Sequence, residues 1–221
     1  MEHAPLTLDK AVEISVAALD TGITPIVRVP GHEAFHISRV LDGGAMGVVV
    51  PHVNTAEEAR RAVDACRYAP IGHRSAMGGY AQLGFESLPI REAAAYMNEH
   101  TLLAVMIETP QAVENADAIA AIPGIDALLI GTNDLTLEMD ISGQIGHERI
   151  KAAYATVAAA CSRHGKVLGM GGVYDQELAT RYIGMGARLI LGASDHSLLL
   201  NAATQRVEFL RALGLGNGRS S

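Results

Sequence analysis

One recurring pattern limits what this chain can fold into: an amphipathic helix, a glycine, a short apolar strand, then a polar loop. Gly22, Gly44, Gly124, Gly165 and Gly186 each stand between a helical stretch and the strand after it, the usual position of a helix C-terminal glycine. Six strands read out this way, over residues 24–29, 45–50, 102–107, 127–130, 167–170 and 188–191. Their apolar side chains are nearly continuous, so both faces are buried, as in a parallel sheet covered by helices. The expected class is therefore α/β. A closed (β/α)8 barrel needs eight strands. The doubly wound sheet is the structural alternative, but its GxGxxG fingerprint after a first strand is missing.

Helical spacing covers residues 8–21, 36–41, 55–67, 89–98, 110–121, 147–164, 175–183 and 195–213. Thr7 or Asp9 can cap the first helix, and Thr55 with Glu58 reads as a capping box. Residues 70–88 show no clear periodicity; within them the glycine-rich stretch 72–85, with Arg74 and Tyr80, is a candidate loop over a site.

A chain of 221 residues with 49% hydrophobic content can bury one substantial core, so a single domain is expected. Its 17 basic residues are scattered and the formal net charge is -7, which argues against a nucleic-acid surface. A small anionic substrate remains admissible, because one local arginine outweighs the global field. Cys66 and Cys161 lack disulfide-like or ligand-like spacing and read as buried small hydrophobes of a reducing compartment. No stretch is long and apolar enough to span a bilayer, and the first residues lack a signal-peptide pattern; a soluble cytoplasmic protein is the expectation.

In parallel α/β folds the strand C-termini define the active face. The polar residues there are Arg28, His52, Glu108, Asn133, Asp134 and Ser194. Glu108 follows the run 102–107, and Asp134 lies in the Gly131-Thr132-Asn133-Asp134 turn after the run 127–130. Two carboxylates on adjacent strand ends suit a hard cation such as Mg²⁺, which takes one or two protein carboxylates and keeps several waters. Each has a simpler reading. Glu108 stands just before Pro110 at a helix start and can cap it, Asp134 can cap a short turn, and Arg28 can be a rim ion pair. His52 is the best placed of the histidines on this face.

Taken in order, Glu2-His3-Ala4-Pro5, Val27-Arg28-Val29-Pro30, Val49-Val50-Pro51-His52, the 70–75 segment Pro-Ile-Gly-His-Arg-Ser, Ile107-Glu108-Thr109 and Ile130-Gly131-Thr132-Asn133-Asp134-Leu135 resemble the HpcH/HpaI aldolase family. These are metal-dependent class II pyruvate aldolases, including 4-hydroxy-2-oxoheptanedioate and 2-dehydro-3-deoxyglucarate aldolases. The resemblance implies a (β/α)8 barrel of the phosphoenolpyruvate/pyruvate type in domain-swapped oligomers, commonly hexamers. It implies Glu108 and Asp134 as ligands of Mg²⁺, Mn²⁺ or Co²⁺, Arg28 beside the pyruvate ketone oxygen, and His3 in the acid/base machinery. Gly131, Thr132 and Asn133 would hold the pyruvate carboxylate through their backbone. The substrates implied are pyruvate or oxaloacetate with a small aldehyde or hydroxy-oxoacid.

Three departures stand out. Relatives carry two strands and an aspartate before the Glu-His motif, whereas this numbering starts at Met1-Glu2-His3, matching the count of six strands. The expectation is a single barrel domain over 1–221 lacking its first two strands, open at two parallel edges, with His3 without its orienting carboxylate. Residues 192–221 would form a C-terminal helix packed on, or swapped with, a neighbouring subunit. Met106 stands where many relatives have a glutamine, and Asn133 where many have alanine. Two other readings stay open: a lyase of CoA thioesters of the citryl or malyl type, which would need a basic patch, and a non-catalytic barrel acting as a partner subunit.

Overall fold

The computed structural model describes residues 1–215. The chain divides into two compact units, Met1–Ile190 and the segment from Leu191 onward. In the first unit β1 (Ile26–Arg28), β2 (Gly47–Val50), β3 (Leu102–Ile107), β4 (Ala127–Gly131), β5 (Val167–Gly171) and β6 (Ala187–Ile190) form one six-stranded sheet in sequence order. Every pairing is parallel. The sheet curls as a part-barrel whose two outer strands, β1 and β6, have no further strand beside them among the described residues. The six expected strands are all present, each within two residues of its expected start.

Alternation along the strands sorts the side chains into two layers. Val48, Val50, Leu103, Val105, Ile107, Leu128 and Ile130 face the helices and belong to the main core. Val49, Ala104, Met106, Ala127 and Leu129 face the inside of the curl and pack together, with Leu189 against them. The members of this inner layer are between 0 and 6% exposed. They stay covered because the approach is close: a Cβ on Gly169 would sit 2.7 Å from Leu129 Cδ1, so the glycine lets β5 close over β4's leucine.

The helices follow the apolar periodicity. They are α1 (Leu8–Asp20), α2 (Ala34–Asp42), α3 (Ala56–Cys66), α4 (Ile90–His100), α5 (Pro110–Glu114), α6 (Ala116–Ala120), α7 (Thr132–Glu138), α8 (Glu148–His164) and α9 (Gln176–Gly184). The capping box at Thr55 and Glu58 is present. Thr7 is the N-cap of α1 but makes no side-chain cap bond. The helix expected over 110–121 is broken at Asn115, whose side chain donates to Asn54 O at 2.7 Å. The 72–85 stretch is held at the N-terminal end of β2, away from the strand C-termini. There Gln82 Nε2 donates to Leu41 O (2.6 Å) and Ala45 O (2.9 Å), and Tyr80 is buried against Tyr68 with the hydroxyls 2.8 Å apart. Cys66 and Cys161 are buried and free, and burial pushes both thiols up to about 11.

The second unit contains α10 (Asp195–Leu210), started by a Ser194–Ser197 capping box. It has no buried residue, and Leu198, Leu199, Leu200, Val207 and Phe209 are exposed along it. The final residues of the expected C-terminal helix, 216–221, lie outside the described residues. No helix among the described residues is long and apolar enough to cross a membrane.

The loops entering β3 and β4 are locked by one side chain. Arg67, at the end of α3 and 2% exposed, donates to Gly124 O (3.1 Å), Asn98 O (2.7 Å), Thr101 O (2.7 Å) and Asp126 Oδ2 (2.5 Å). Asp126 Oδ2 also accepts from Leu103 N at 2.6 Å. A planar fork of donors fits this set, and an aliphatic side chain leaves the carbonyls and the carboxylate unpaired. Arg67→Met is expected to lower the unfolding free energy by about 3 kcal/mol in a denaturant titration; a loss below about 1 kcal/mol contradicts the assignment.

Candidate active site

Parallel pairing brings the C-terminal ends of β1 to β5 to one face. Arg28 pairs with Val49, Val50 with Val105, Ile107 with Ile130, and Gly131 with Gly171. Glu108, one residue beyond β3, is 2% exposed, an unusual burial for a carboxylate. It is not a helix cap: Thr109 is the N-cap of α5 and accepts from Ala112 N at 3.1 Å. Its Oε2 accepts instead from the backbone N–H of His52 at 2.8 Å and lies 3.1 Å from His52 Nδ1. Its Oε1 is turned to β4, where a Cβ on Gly131 would sit 2.6 Å away; only a glycine leaves the carboxylate this room.

Burial is the largest influence on the Glu108 carboxyl and raises its pKa. The His52 N–H and the His52 ring work the other way, and the negative charges of Asp134 and Glu2 raise it further. Asp134 lies in the first turn of α7, whose N-cap, Gly131, makes no side-chain cap bond. Thr132 points away from this face, buried with its hydroxyl 2.8 Å from that of Tyr154, so only its backbone is available to a ligand. Asn133 is exposed.

Arg28 reaches the same face from β1. Its Nε lies 3.1 Å from Glu2 Oε2, and its Nη1 approaches Met106 Sδ at 3.7 Å. Glu2 Oε1 is 3.0 Å from His52 Nε2. The structure thus joins Arg28, Glu2, His52 and Glu108 in one chain of contacts, with Asp134 near enough to act on Glu108. It does not bring His3 in: the histidine is exposed and makes no hydrogen bond or ion pair among the described residues. His3 is singled out by the resemblance to the family's Glu-His motif, and no pattern in the sequence singles out Glu2. Nor does any pattern signal the backbone of His52, which takes φ 54°. The three lysines are all engaged elsewhere, Lys10 with Glu13, Lys151 with Glu148 and Lys166 with Ile125 O.

Among the described residues no group of three or more His, Cys, Asp and Glu side chains is arranged as a metal centre. The site offers two carboxylates that follow different strands, one of them raised in pKa by its burial and, to a lesser degree, by the negative charges near it. That donor set fits a hard divalent cation, whose positive charge relieves this repulsion and which completes its shell with water or substrate oxygens.

Comparison with known proteins identifies the family of the chain. The chain is 42% identical over 211 residues to the 4-hydroxy-4-methyl-2-oxoglutarate aldolase tasA of Hapsidospora irregularis, covering 93% of this chain and 77% of that one. It is 32% identical over 206 residues to the 5-keto-4-deoxy-D-glucarate aldolase of Citrobacter koseri, covering 93% and 79%. The crystal structure of the HpcH/HpaI aldolase from Desulfitobacterium hafniense DCB-2 superposes with a TM-score of 0.89 at 30% identity, over 95% of this chain and 81% of that one. The part-barrel here is the corresponding portion of that fold. Residues 1–202 match the family described as HpcH/HpaI aldolase/citrate lyase, and the chain belongs to that family of lyases.

Proposed function

We propose that this protein is a pyruvate aldolase that reversibly cleaves 4-hydroxy-2-oxoacids to pyruvate and an aldehyde or second oxoacid. The observation that carries the reading is the buried Glu108 carboxylate, aimed at the Gly131–Asp134 turn and linked through His52 and Glu2 to the Arg28 guanidinium. Glu108 and Asp134 would hold a divalent cation such as Mg²⁺, Mn²⁺ or Co²⁺. When bound, it supplies Lewis-acid polarisation of the substrate carbonyl and a template for the oxoacid.

Cleavage breaks the C3–C4 bond, turns its electron pair into a C2–C3 double bond with the negative charge on the C2 oxygen, and needs a base that takes the C4 hydroxyl proton as C4 becomes a carbonyl. Arg28 places a fixed positive charge where the enolate oxygen develops, and a fixed charge costs no reorganisation during the reaction. To receive that oxygen it exchanges part of its contact with Glu2. Backbone groups of Gly131, Thr132 and Asn133 bind the C1 carboxylate. His3 is the proposed base, directly or through water, and reaches the site by a shift of the exposed 3–7 segment. The pyruvate enolate is then protonated at C3. Met106, buried against Arg28, presents a thioether and not an amide to the guanidinium.

The substrate to try first is 4-hydroxy-4-methyl-2-oxoglutarate, named for the Hapsidospora relative. Coupled detection of pyruvate should show turnover that chelation abolishes and added Mg²⁺, Mn²⁺ or Co²⁺ restores. Glu108→Gln and Asp134→Asn should each lower kcat/KM by about 10²–10³-fold. Equal rates with and without chelator sink the metal-assisted mechanism.

The raised pKa of Glu108 gives a stability prediction of definite sign. A carboxyl whose folded pKa lies above its unfolded value, 4.5, favours folding while protonated and loses that contribution as pH rises through the folded value. In metal-free protein, Glu108→Gln should therefore raise the unfolding temperature relative to the parent at neutral pH. The difference should shrink as pH falls towards the ordinary carboxylate range. A variant less stable than the parent at neutral pH, with the gap closing on acidification, contradicts the cause assigned.

We further propose that the chain works as a homo-oligomer in which the apolar side chains of α10 pack on a neighbouring subunit. Leu198, Leu199, Leu200, Val207 and Phe209 are more exposed apolar surface than one helix ordinarily leaves in water. Light scattering on the purified chain should give a multiple of 23.2 kDa, with a hexamer expected; a monomer at micromolar concentration rules the arrangement out.

A further inference from the structure

We propose that His52 is a positioning residue for the cation site: it holds one oxygen of Glu108 so that the other faces Asp134. The inference rests on the reading of Glu108 and Asp134 as cation ligands and adds a residue to it. Two nitrogens of His52, the backbone N–H at 2.8 Å and ring Nδ1 at 3.1 Å, converge on the same atom, Glu108 Oε2. Held on that side, the carboxylate has its Oε1 against Gly131, at the start of the turn that carries Asp134. A buried carboxylate with one engaged and one directed oxygen is prearranged for a cation; a freely rotating one must be ordered on binding.

The backbone of His52 supports a role beyond packing. Its φ of 54° is a conformation that glycine or asparagine adopts more readily than histidine. A half-exposed histidine in that conformation gains little from burial, with 54% of its side chain accessible. The ring is what distinguishes it from the residues better suited to the turn, and both ring nitrogens are engaged, Nδ1 by Glu108 and Nε2 by Glu2 Oε1 at 3.0 Å.

The loop that carries His52 is in turn anchored to the loop that carries Glu108. Asn54 accepts from Thr109 Oγ1 at 2.5 Å through its side chain and from Asn115 Nδ2 at 2.7 Å through its carbonyl. Its Nδ2 donates to His52 O at 3.3 Å, and its own N–H is bound by Glu58 at 2.7 Å. Val53 N donates to Met106 O at 3.2 Å. His52 and Glu108 are therefore set by one hydrogen-bonded frame that runs from α3 to α5. The break of the helix at Asn115 belongs to it, because that side chain closes the frame on Asn54.

The test is Mn²⁺ affinity of the full chain, read by electron paramagnetic resonance of free Mn²⁺ and so without reference to turnover. His52→Asn keeps the backbone N–H and suits the left-handed conformation while removing the ring contacts; His52→Gly does the same by a second route. Both should retain the parent circular dichroism and unfolding midpoint while binding Mn²⁺ about 10–100-fold more weakly. Glu108→Gln is the reference for a lost ligand. Affinities of both His52 variants within twofold of the parent, with binding lost in Glu108→Gln, overturn the role of His52 and leave the cation site standing. A parent chain that binds no Mn²⁺ overturns both.

Discussion

A carboxylate placed where water cannot reach it governs this structure. Glu108 sits at the C-terminal end of the central strand β3, 2% exposed. An ionised carboxylate in that position carries a desolvation cost that hydrogen bonds and opposite charge must offset. The chain supplies the His52 backbone N–H and ring on one oxygen, and a glycine opposite the other. It also adds to the cost, because Asp134 and Glu2 bring further negative charge close by. Concentrated negative charge with one positive group, Arg28, at its edge suits a site that takes a cation and an anionic oxoacid together.

The two ends of the sheet divide the work. At the N-terminal end, Arg67 ties together the loops before β3 and β4 with four hydrogen bonds. At the C-terminal end, like charges crowd, a histidine takes a left-handed conformation, and Glu2 Oε2 is buried without a hydrogen-bond partner. The Arg67 network holds the strands whose far ends carry this crowded face. Between the ends, the inner layer of small and flexible residues, Ala104, Ala127 and Met106, sets the floor beneath Arg28.

Much of this was legible in the sequence for definite physical reasons. Six apolar runs, five of them preceded by a glycine, correspond to the parallel strands in sequence order, because that spacing has few other solutions. The positions of Arg28, Glu108 and Asp134 followed from strand ends alone. Conformations that depend on contacts far along the chain were not legible. The 131–134 turn continues as the helix α7, since Leu135 and Thr136 find buried places that no local pattern announces. The helix over 110–121 breaks because Asn115 binds Asn54, 61 residues away. Glu2 and not His3 meets Arg28 and His52, a choice set by the path of a short extended segment and not by residue type. The 72–85 stretch lies at the opposite end of β2 from the site because Gln82 finds carbonyls there.

The cation-assisted site proposed for Glu108, Asp134 and Arg28 would stabilise the pyruvate enolate. Exchange of the pyruvate methyl protons with D₂O, followed by proton NMR, reads enolate formation without an aldehyde partner. Exchange is expected in the presence of Mg²⁺, stopped by chelation and reduced by at least about tenfold in Glu108→Gln and in Arg28→Met, roughly 1.4 kcal/mol in the barrier. Exchange at the parent rate after chelation, or in the Glu108→Gln variant, would contradict the cation-assisted site.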